Sequence, residues 1–176
     1  PSFLAWLPDN ERIIVFEEET EKSIQLIESA DILFSLDYNT FHRTGEMGKI
    51  IEACKAKKIL IDHHLEPATY YDVSISKVEI SSTSELIYET IDFLGDKDII
   101  NKNMAESLYV GIMTDTGSFS YSCNYPKTYH IIAHLIELGV DGEHIHQLVY
   151  STFSESRLRL LGYCLSERLY VLPEYK

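Results

Sequence analysis

Short apolar runs alternate with polar, helix-like stretches over the first third of the chain. Runs at residues 12–16, 31–37 and 58–62 predict three strands, while 17–29 and 44–56 carry apolar residues at helical spacing. Near-continuous apolar strands joined by helices are typical of a parallel sheet with helices on both faces. The first part of the chain is therefore predicted to be α/β.

The pattern changes after residue 62. Residues 71–80 alternate between apolar and polar positions and predict one more strand. Five helices are then predicted, at 82–94, 103–114, 126–138, 141–150 and 154–168. The chain shows no internal repeat and no linker, so we expect one α/β domain whose second half is mostly helical.

Composition excludes several classes of protein. Of the 176 residues, 45% are hydrophobic and 24% are charged, as in ordinary globular domains. No stretch approaches the roughly 20 apolar residues of a membrane span, so we expect no membrane partner. The net charge of −13 argues against a grip on long nucleic acid, which needs many Lys and Arg side chains. It is compatible with short phosphorylated substrates held through divalent ions.

Cysteine usage bears on the cellular compartment. The chain has three cysteines, an odd number, without a CxxC spacing: Cys54, Cys123 and Cys164. Neither a disulfide framework nor a structural zinc site is indicated, and a reduced, cytoplasmic protein is expected.

Two predicted strands end in residues that could bind a metal ion. Asp37 ends one strand, and Asp62, His63 and His64 end the next. A right-handed crossover brings the carboxyl ends of parallel strands to one edge of the sheet, where these groups could form a divalent-metal site. A turn or capping role for Asp37, and a core role for one histidine, stay open.

A third segment, Gly111–Phe119, holds a single carboxylate. Asp115 lies there among small and hydroxyl side chains between Gly111 and Gly117, which would let a ligand approach closely. A tight helix-to-loop turn with Asp115 as a cap is equally consistent with the pattern.

Further candidates each have a structural alternative. Arg43 could pair with a phosphate or form a surface salt bridge. The segment 81–84 could hold a phosphate at a helix N-terminus or merely cap the helix. His130 and His134 have the i, i+4 spacing of a metal pair, without an acidic partner. Three aromatic side chains could stack on a base or belong to the core: Phe119, Tyr121 and Tyr125.

The segments 31–37, 61–67 and 111–119 together resemble the DHH phosphoesterase superfamily, whose signature is Asp62-His63-His64 itself. Details resemble its nanoRNase/pAp-phosphatase branch. These details are Phe3-Leu-Ala-Trp-Leu-Pro8, Arg43 with Gly45, and Thr116-Gly-Ser-Phe119. The likeness runs through nearly the whole chain.

The resemblance implies a hydrolase with two Mn²⁺ ions, or Mg²⁺ in their place. By motif matching, Asp37, His63 and Asp115 are expected to be metal ligands. Asp62 would hold His63 in the useful tautomer, and His64 would face the substrate phosphate or the leaving oxygen. Two ions can activate a water and stabilise both oxygens of an in-line displacement.

The resemblance also implies a substrate class. Short oligoribonucleotides and 3'-phosphoadenosine 5'-phosphate (pAp) are expected as substrates, with Arg43 and Ser118 binding them. Pyrophosphatases and cyclic-dinucleotide phosphodiesterases share the signature and remain alternatives, as does a non-catalytic nucleotide-binding domain. The oligomeric state, including a homodimer, stays open.

One family motif is missing from the chain. The family's first motif is a His followed by Asp four and six positions later, and none of the seven histidines has this pattern downstream. The family's C-terminal substrate-binding domain (DHHA1) is also expected to be absent. Residues 1–170 are therefore expected to be the catalytic domain, incomplete at its N-terminus.

Overall fold

The computed structural model describes residues 2–151 and 153–175. The described chain divides into two compact units. One unit spans Trp6–Gly142 and contains the sheet. The other combines residues 2–5 with the described part of 143–175 and is helical. That residues 1–170 form one catalytic domain stays a prediction.

The sheet has three parallel strands, in the order β1 (Ile32–Leu36), β2 (Lys57–Asp62) and β3 (Val73–Ser76). Leu36 is opposite Ile61, so β1 and β2 end side by side. The crossover between them contains a helix, as parallel pairing requires. The predicted parallel α/β sheet is confirmed.

Helices make up most of the remaining described chain. In the Trp6–Gly142 unit they are α1 (Thr20–Ser29), α2 (Glu46–Ala53), α3 (Thr83–Phe93), α4 (Lys102–Asp115) and α5 (Pro126–Glu137). α6 (Gly142–Tyr150) and α7 (Glu155–Tyr163) follow, and a π-helical turn continues α7 over Cys164–Arg168. The mostly helical second half is confirmed, whereas β3 is shorter than the 71–80 expected.

The core lies where β2, α3 and α4 meet. Leu60 and Ile61, on opposite faces of β2, are both buried, and so are Leu86 of α3 and Ile112 of α4. The sheet is less covered at β1, where three side chains of one face remain exposed: Ile32, Phe34 and Leu36.

The strand expected at 12–16 is wrong. A short 3₁₀ turn, Asn10–Arg12, leads into an irregular stretch, and Ile13 is 66% exposed. The carbonyl of Val15 accepts hydrogen bonds from the backbone N–H groups of Glu18 and Glu19, which turns the chain into α1. A five-residue apolar run does not form a strand without a neighbour to pair its backbone groups.

A membrane-crossing helix is not found among the described residues, because none of their helices combines enough length with enough apolar character.

Candidate metal centre

The parallel pairing of β1 and β2 brings their terminal residues together. Asp37 follows β1, and its backbone N–H donates to the carbonyl of Ile61 over 3.3 Å. Asp62 is the last residue of β2, and His63 follows it. Asp37 has a positive φ of 66°, which short polar residues tolerate best, and its side chain is 61% exposed. The side chains expected to converge at this edge of the sheet do so.

His63 lies between two carboxylates. Its Nε2 atom is 3.1 Å from Oδ2 of Asp115, the last residue of α4, and 3.8 Å from Oδ1 of Asp37. Its Nδ1 atom lies 3.2 Å from the carbonyl oxygen of Ile80. This contact suits an Nδ1–H donor, which leaves Nε2 to face the carboxylates.

The carboxylates change the protonation of His63. The hydrogen bond to Asp115 raises the pKa of His63 from about 6.5 to about 9, although burial works in the opposite direction. The Ile80 carbonyl and the charge of Asp37 raise this pKa further. Without a metal ion, this raised pKa favours a second proton on the imidazole at neutral pH, and that proton would lie on Nε2, 3.1 Å from Asp115 Oδ2.

Asp62 is fully buried and binds His64 rather than His63. Its Oδ1 atom is 2.7 Å from His64 Nδ1, and its Oδ2 accepts the backbone N–H of His64 over 3.0 Å. The expectation that Asp62 holds His63 is wrong. The chain bends at His64, and the His64 ring turns back to the Asp62 carboxylate, while Nδ1 of His63 faces the Ile80 carbonyl instead.

The donor set suits a hard or borderline divalent ion. One ligand atom each of Asp37, His63 and His64 lie within 4.8 Å of one another, and Asp115 adds a second carboxylate beside His63. Carboxylates and imidazoles are ligands for Mn²⁺ and, mainly through carboxylate, for Mg²⁺. A bound cation would replace the proton that the carboxylates favour on His63. The residues present therefore fit a metal ion.

A cleft of about 220 Å³ opens beside these carboxylates. It lies between the end of β1, the N-terminus of α3 and the C-terminal part of α4. Six of its nine lining residues have polar side chains, and the lining consists of Leu36, Asp37, Ser82, Thr83, Ser84, Ile87, Gly111, Thr114 and Asp115.

The segment after Asp115 is backbone-strained. Gly117, Ser118 and Phe119 all have positive φ, between 54° and 62°. The buried Thr116 holds this turn, because its hydroxyl accepts the N–H of Phe119 over 3.0 Å and its carbonyl accepts two further N–H groups. The turn ends α4 directly after its metal-binding candidate.

Neither expected substrate-binding residue is among the described residues that line this cleft. Arg43 lies on the turn Phe41–Thr44 and lines a separate groove of about 1010 Å³ between residues 14–24 and α2. Ser118 lies in the left-handed turn, where its N–H donates to Met113. The structure does not bring either residue to the cleft.

The structure also places the aromatic candidates and the histidine pair of α5. Phe119 packs edge-on against Tyr109, with 5.8 Å between ring centroids, whereas Tyr121 and Tyr125 are exposed. His134 Nδ1 lies 2.9 Å from the hydroxyl of Tyr88, and within the described chain His130 and His134 do not belong to a metal-binding cluster.

Sequence patterns did not identify two further contacts of the centre. The hydroxyl of Thr83 donates to Asp37 Oδ1 over 2.9 Å, and the Ile80 carbonyl faces His63. A backbone carbonyl leaves no signal in the side-chain pattern. The hydroxyl-rich segment 81–84 is predicted to hold a phosphate or to cap the helix, and Ser82 does cap α3 by accepting from the N–H of Glu85.

Known proteins resemble this chain in sequence and in fold. Residues 1–112 match the model described as "DHH family, N-terminal domain". The crystal structure of an exopolyphosphatase-related protein from Bacteroides fragilis is 44% identical, with a TM-score of 0.94, over 97% of this chain and 50% of that chain.

Two of the curated relatives share the name "bifunctional oligoribonuclease and PAP phosphatase". The protein of Thermus thermophilus is 25% identical over 166 residues, which are 92% of this chain and 48% of that protein. The protein of Bacillus subtilis is 33% identical over 100 residues, 55% of this chain and 31% of that protein. The chain thus spans half or less of the length of each relative. Because the family model matches more than half of its residues, the chain belongs to the DHH family.

Proposed function

We propose that this chain carries the catalytic metal centre of a phosphoesterase that hydrolyses short oligoribonucleotides and pAp. The observation that supports this most is the position of His63 Nε2 between the carboxylates of Asp37 and Asp115, at the carboxyl edge of a parallel sheet. Ligands bind at this edge in open α/β sheets. Membership of the DHH family and the names of the relatives supply the substrate class.

The proposed ligands are Asp37, His63 and Asp115, with Mn²⁺ or Mg²⁺ as the ion and two ions in the complete centre. Such ions would activate a water and neutralise charge on the phosphate during an in-line displacement. His64, held at Nδ1 by Asp62, would present its other nitrogen to the substrate phosphate or leaving oxygen. The fixed tautomer is what a proton donor or acceptor at that position needs.

The charge of the chain supports short substrates. The chain carries 28 acidic and 15 basic residues, so it has few cations for a long phosphate backbone. A substrate with one or two phosphates could instead rely on the metal ions. Arg43 and Ser118 stay in the proposal as substrate contacts beyond the cleft, and a cytoplasmic location is proposed from the three unpaired cysteines.

The test is phosphate release from pAp by the metal-free chain after Mn²⁺ is added back. We expect release that depends on Mn²⁺ and that is lost in Asp37→Asn and His63→Ala. The matched control is Asp98→Asn, an exposed carboxylate outside the cluster, which should act like the wild type. Full activity in Asp37→Asn would contradict the proposed centre.

A second candidate substrate is a phosphoanhydride, because the structural neighbour from Bacteroides fragilis is named exopolyphosphatase-related. Pyrophosphate, polyphosphate, a cyclic dinucleotide and pAp should be compared under the same conditions. Preference for pAp would support the proposal, and preference for the phosphoanhydrides would replace the substrate class but keep the metal centre. Binding of nucleotide without any hydrolysis would favour a non-catalytic domain.

A further inference from the structure

The segment that follows β3 and the first residue of α3 both contact the candidate centre. The Ile80 carbonyl faces His63 Nδ1 at 3.2 Å, and the Thr83 hydroxyl donates to Asp37 Oδ1 over 2.9 Å. We propose that Thr83 is a positioning residue that fixes the Asp37 carboxylate for the metal ion, and that buried Glu85 anchors Thr83. This inference rests on the proposed metal centre.

Asp37 needs such a partner because little else restrains its side chain. It follows the end of an edge strand and is mostly exposed. Thr83, in contrast, is buried and is the first residue of α3. Its β-branched side chain has few rotamers, which limits the directions in which its hydroxyl can point. A hydrogen bond to a carboxylate is stronger than one between neutral groups.

One oxygen atom of Asp37 faces both Thr83 and His63. Oδ1 accepts from Thr83 and is also the atom that lies 3.8 Å from His63 Nε2. The hydroxyl therefore orients the carboxylate toward the imidazole and occupies only one of its lone-pair positions. The remaining positions on Asp37 stay available to a cation.

Glu85 explains why Thr83 is held firmly. Its side chain is 1% exposed and accepts from the hydroxyls of Ser81 and Thr128, the latter over 3.0 and 3.1 Å. A Glu three residues after a capping Ser commonly turns back to the backbone N–H of that Ser. Here the carboxyl group points inward and ties the start of α3 to α5.

A buried carboxyl group is costly unless its oxygens are hydrogen-bonded. The two hydroxyls meet that requirement, and the N-terminal turn of α3 adds a favourable dipole. The result is a rigid connection, from α5 through Glu85 and the first turn of α3, to the carboxylate of Asp37. Residues that orient metal ligands in this way typically change metal affinity when they are replaced.

The experiment compares Thr83→Val, which keeps the shape but removes the hydroxyl, with Thr83→Ser, which keeps it. Mn²⁺ affinity is measured by calorimetry, and thermal unfolding is measured without metal. We expect Thr83→Val to bind Mn²⁺ roughly 10- to 100-fold more weakly. Thr83→Ser should restore most of the affinity. The control is Thr90→Val on the same helix, whose hydroxyl only donates to the Leu86 carbonyl.

The outcomes separate the inference from the proposed function. Unchanged affinity in Thr83→Val, or equal losses in the Ser and Val variants, would overturn the positioning role even if the wild type hydrolyses pAp. Weakened binding in the Val variant alone would support the role even if no substrate is cleaved. If Thr83→Val does not fold, Glu85→Gln gives a second test: it should weaken Mn²⁺ binding while Thr90→Val does not. A wild-type chain that binds no Mn²⁺ would overturn both proposals.

Discussion

His63 Nε2 lies 3.1 Å from Asp115 Oδ2, although one residue follows a strand and the other ends a helix. His63 follows the central strand, whereas Asp115 ends the helix α4. Strand pairing alone brings His63 to Asp37. The contact with Asp115 requires that α3 packs on β2 and that α4 packs on α3, through buried side chains such as Leu86 and Ile112. The geometry of the centre is therefore coupled to the helical core.

Asp115→Asn should weaken Mn²⁺ binding by at least about tenfold, because a charged ligand candidate becomes neutral while the shape is kept. The same change should lower the pKa of His63 toward its ordinary value, since the Asp115 hydrogen bond is the main cause of its elevation. Calorimetry and histidine NMR in the metal-free chain measure the two effects. An Asn variant with wild-type affinity would remove Asp115 from the ligand set.

His64→Ala should lower the turnover number by about 100-fold or more while Mn²⁺ affinity falls much less, because we assign His64 to the substrate rather than to the ion. Asp62→Asn should show a smaller loss of the same kind, since it disturbs the tautomer of His64. His130→Gln, an exposed histidine on α5, is the control. If Mn²⁺ affinity falls as steeply as turnover in His64→Ala, His64 is itself a ligand, as its place in the cluster would allow.

Sequence patterns predicted the meeting of Asp37 and His63 for a simple reason. Both residues follow strongly apolar strands that are joined by one helix, and the handedness of such crossovers is nearly fixed. The position of Asp115 came from motif resemblance, because no periodicity relates the end of a helix to the edge of a sheet. The partner of Asp62 was predicted wrongly, because the bend that turns the His64 imidazole back to Asp62 comes after the strand and is not visible in its apolar pattern.

The false strand at 12–16 and the missed Thr83 show two different limits. An apolar run of five residues fits a strand, but whether it has a neighbour to pair with depends on the tertiary fold. The hydroxyls of the segment 81–84 all fit a helix cap, and sequence cannot tell which of them turns away toward another element. Ser82 caps α3 while Thr83 reaches Asp37.

Glu89 should make the stability of the fold depend on pH. Its carboxylate pairs with Lys127 at 2.7 Å and with Lys77 at 3.0 Å, which links α3 to α5 and to the end of β3. Burial raises the pKa of Glu89, but the two ammonium groups outweigh it and the net pKa lies below the ordinary 4.5. A lowered pKa contributes stability above the ordinary value, and this contribution is lost as the pH falls through the folded value.

Glu89→Gln should therefore cost about 1 kcal/mol of unfolding free energy at pH 7, and the difference from wild type should vanish as the pH falls well below 4.5. Urea unfolding at several pH values measures this difference in the free energy of unfolding. The control is Glu46→Gln, whose pair with Lys49 is more than 70% exposed on both sides and should contribute less. A difference that grows toward low pH would contradict the assignment.

Gly111 sets how closely α4 approaches the start of α3. A Cβ atom at residue 111 would overlap Ser84 Oγ and lie 2.7 Å from Ser84 Cβ, and both residues line the cleft beside Asp115. Gly111→Ala should force the two helices apart, destabilise the fold by about 1–3 kcal/mol, and weaken Mn²⁺ binding. Mn²⁺ binding should weaken because Asp115 lies on α4, the same helix as Gly111.

Gly162→Ala is the matched control, because α7 leaves open space where its Cβ would lie. It should be neutral or stabilising by up to about 1 kcal/mol, as expected for Gly to Ala in an exposed helix. Combining Gly111→Ala with Ser84→Gly removes both clashing atoms and should recover part of the lost stability. If Gly111→Ala unfolds at the wild-type temperature and binds Mn²⁺ normally, close packing of α3 and α4 does not set the position of Asp115.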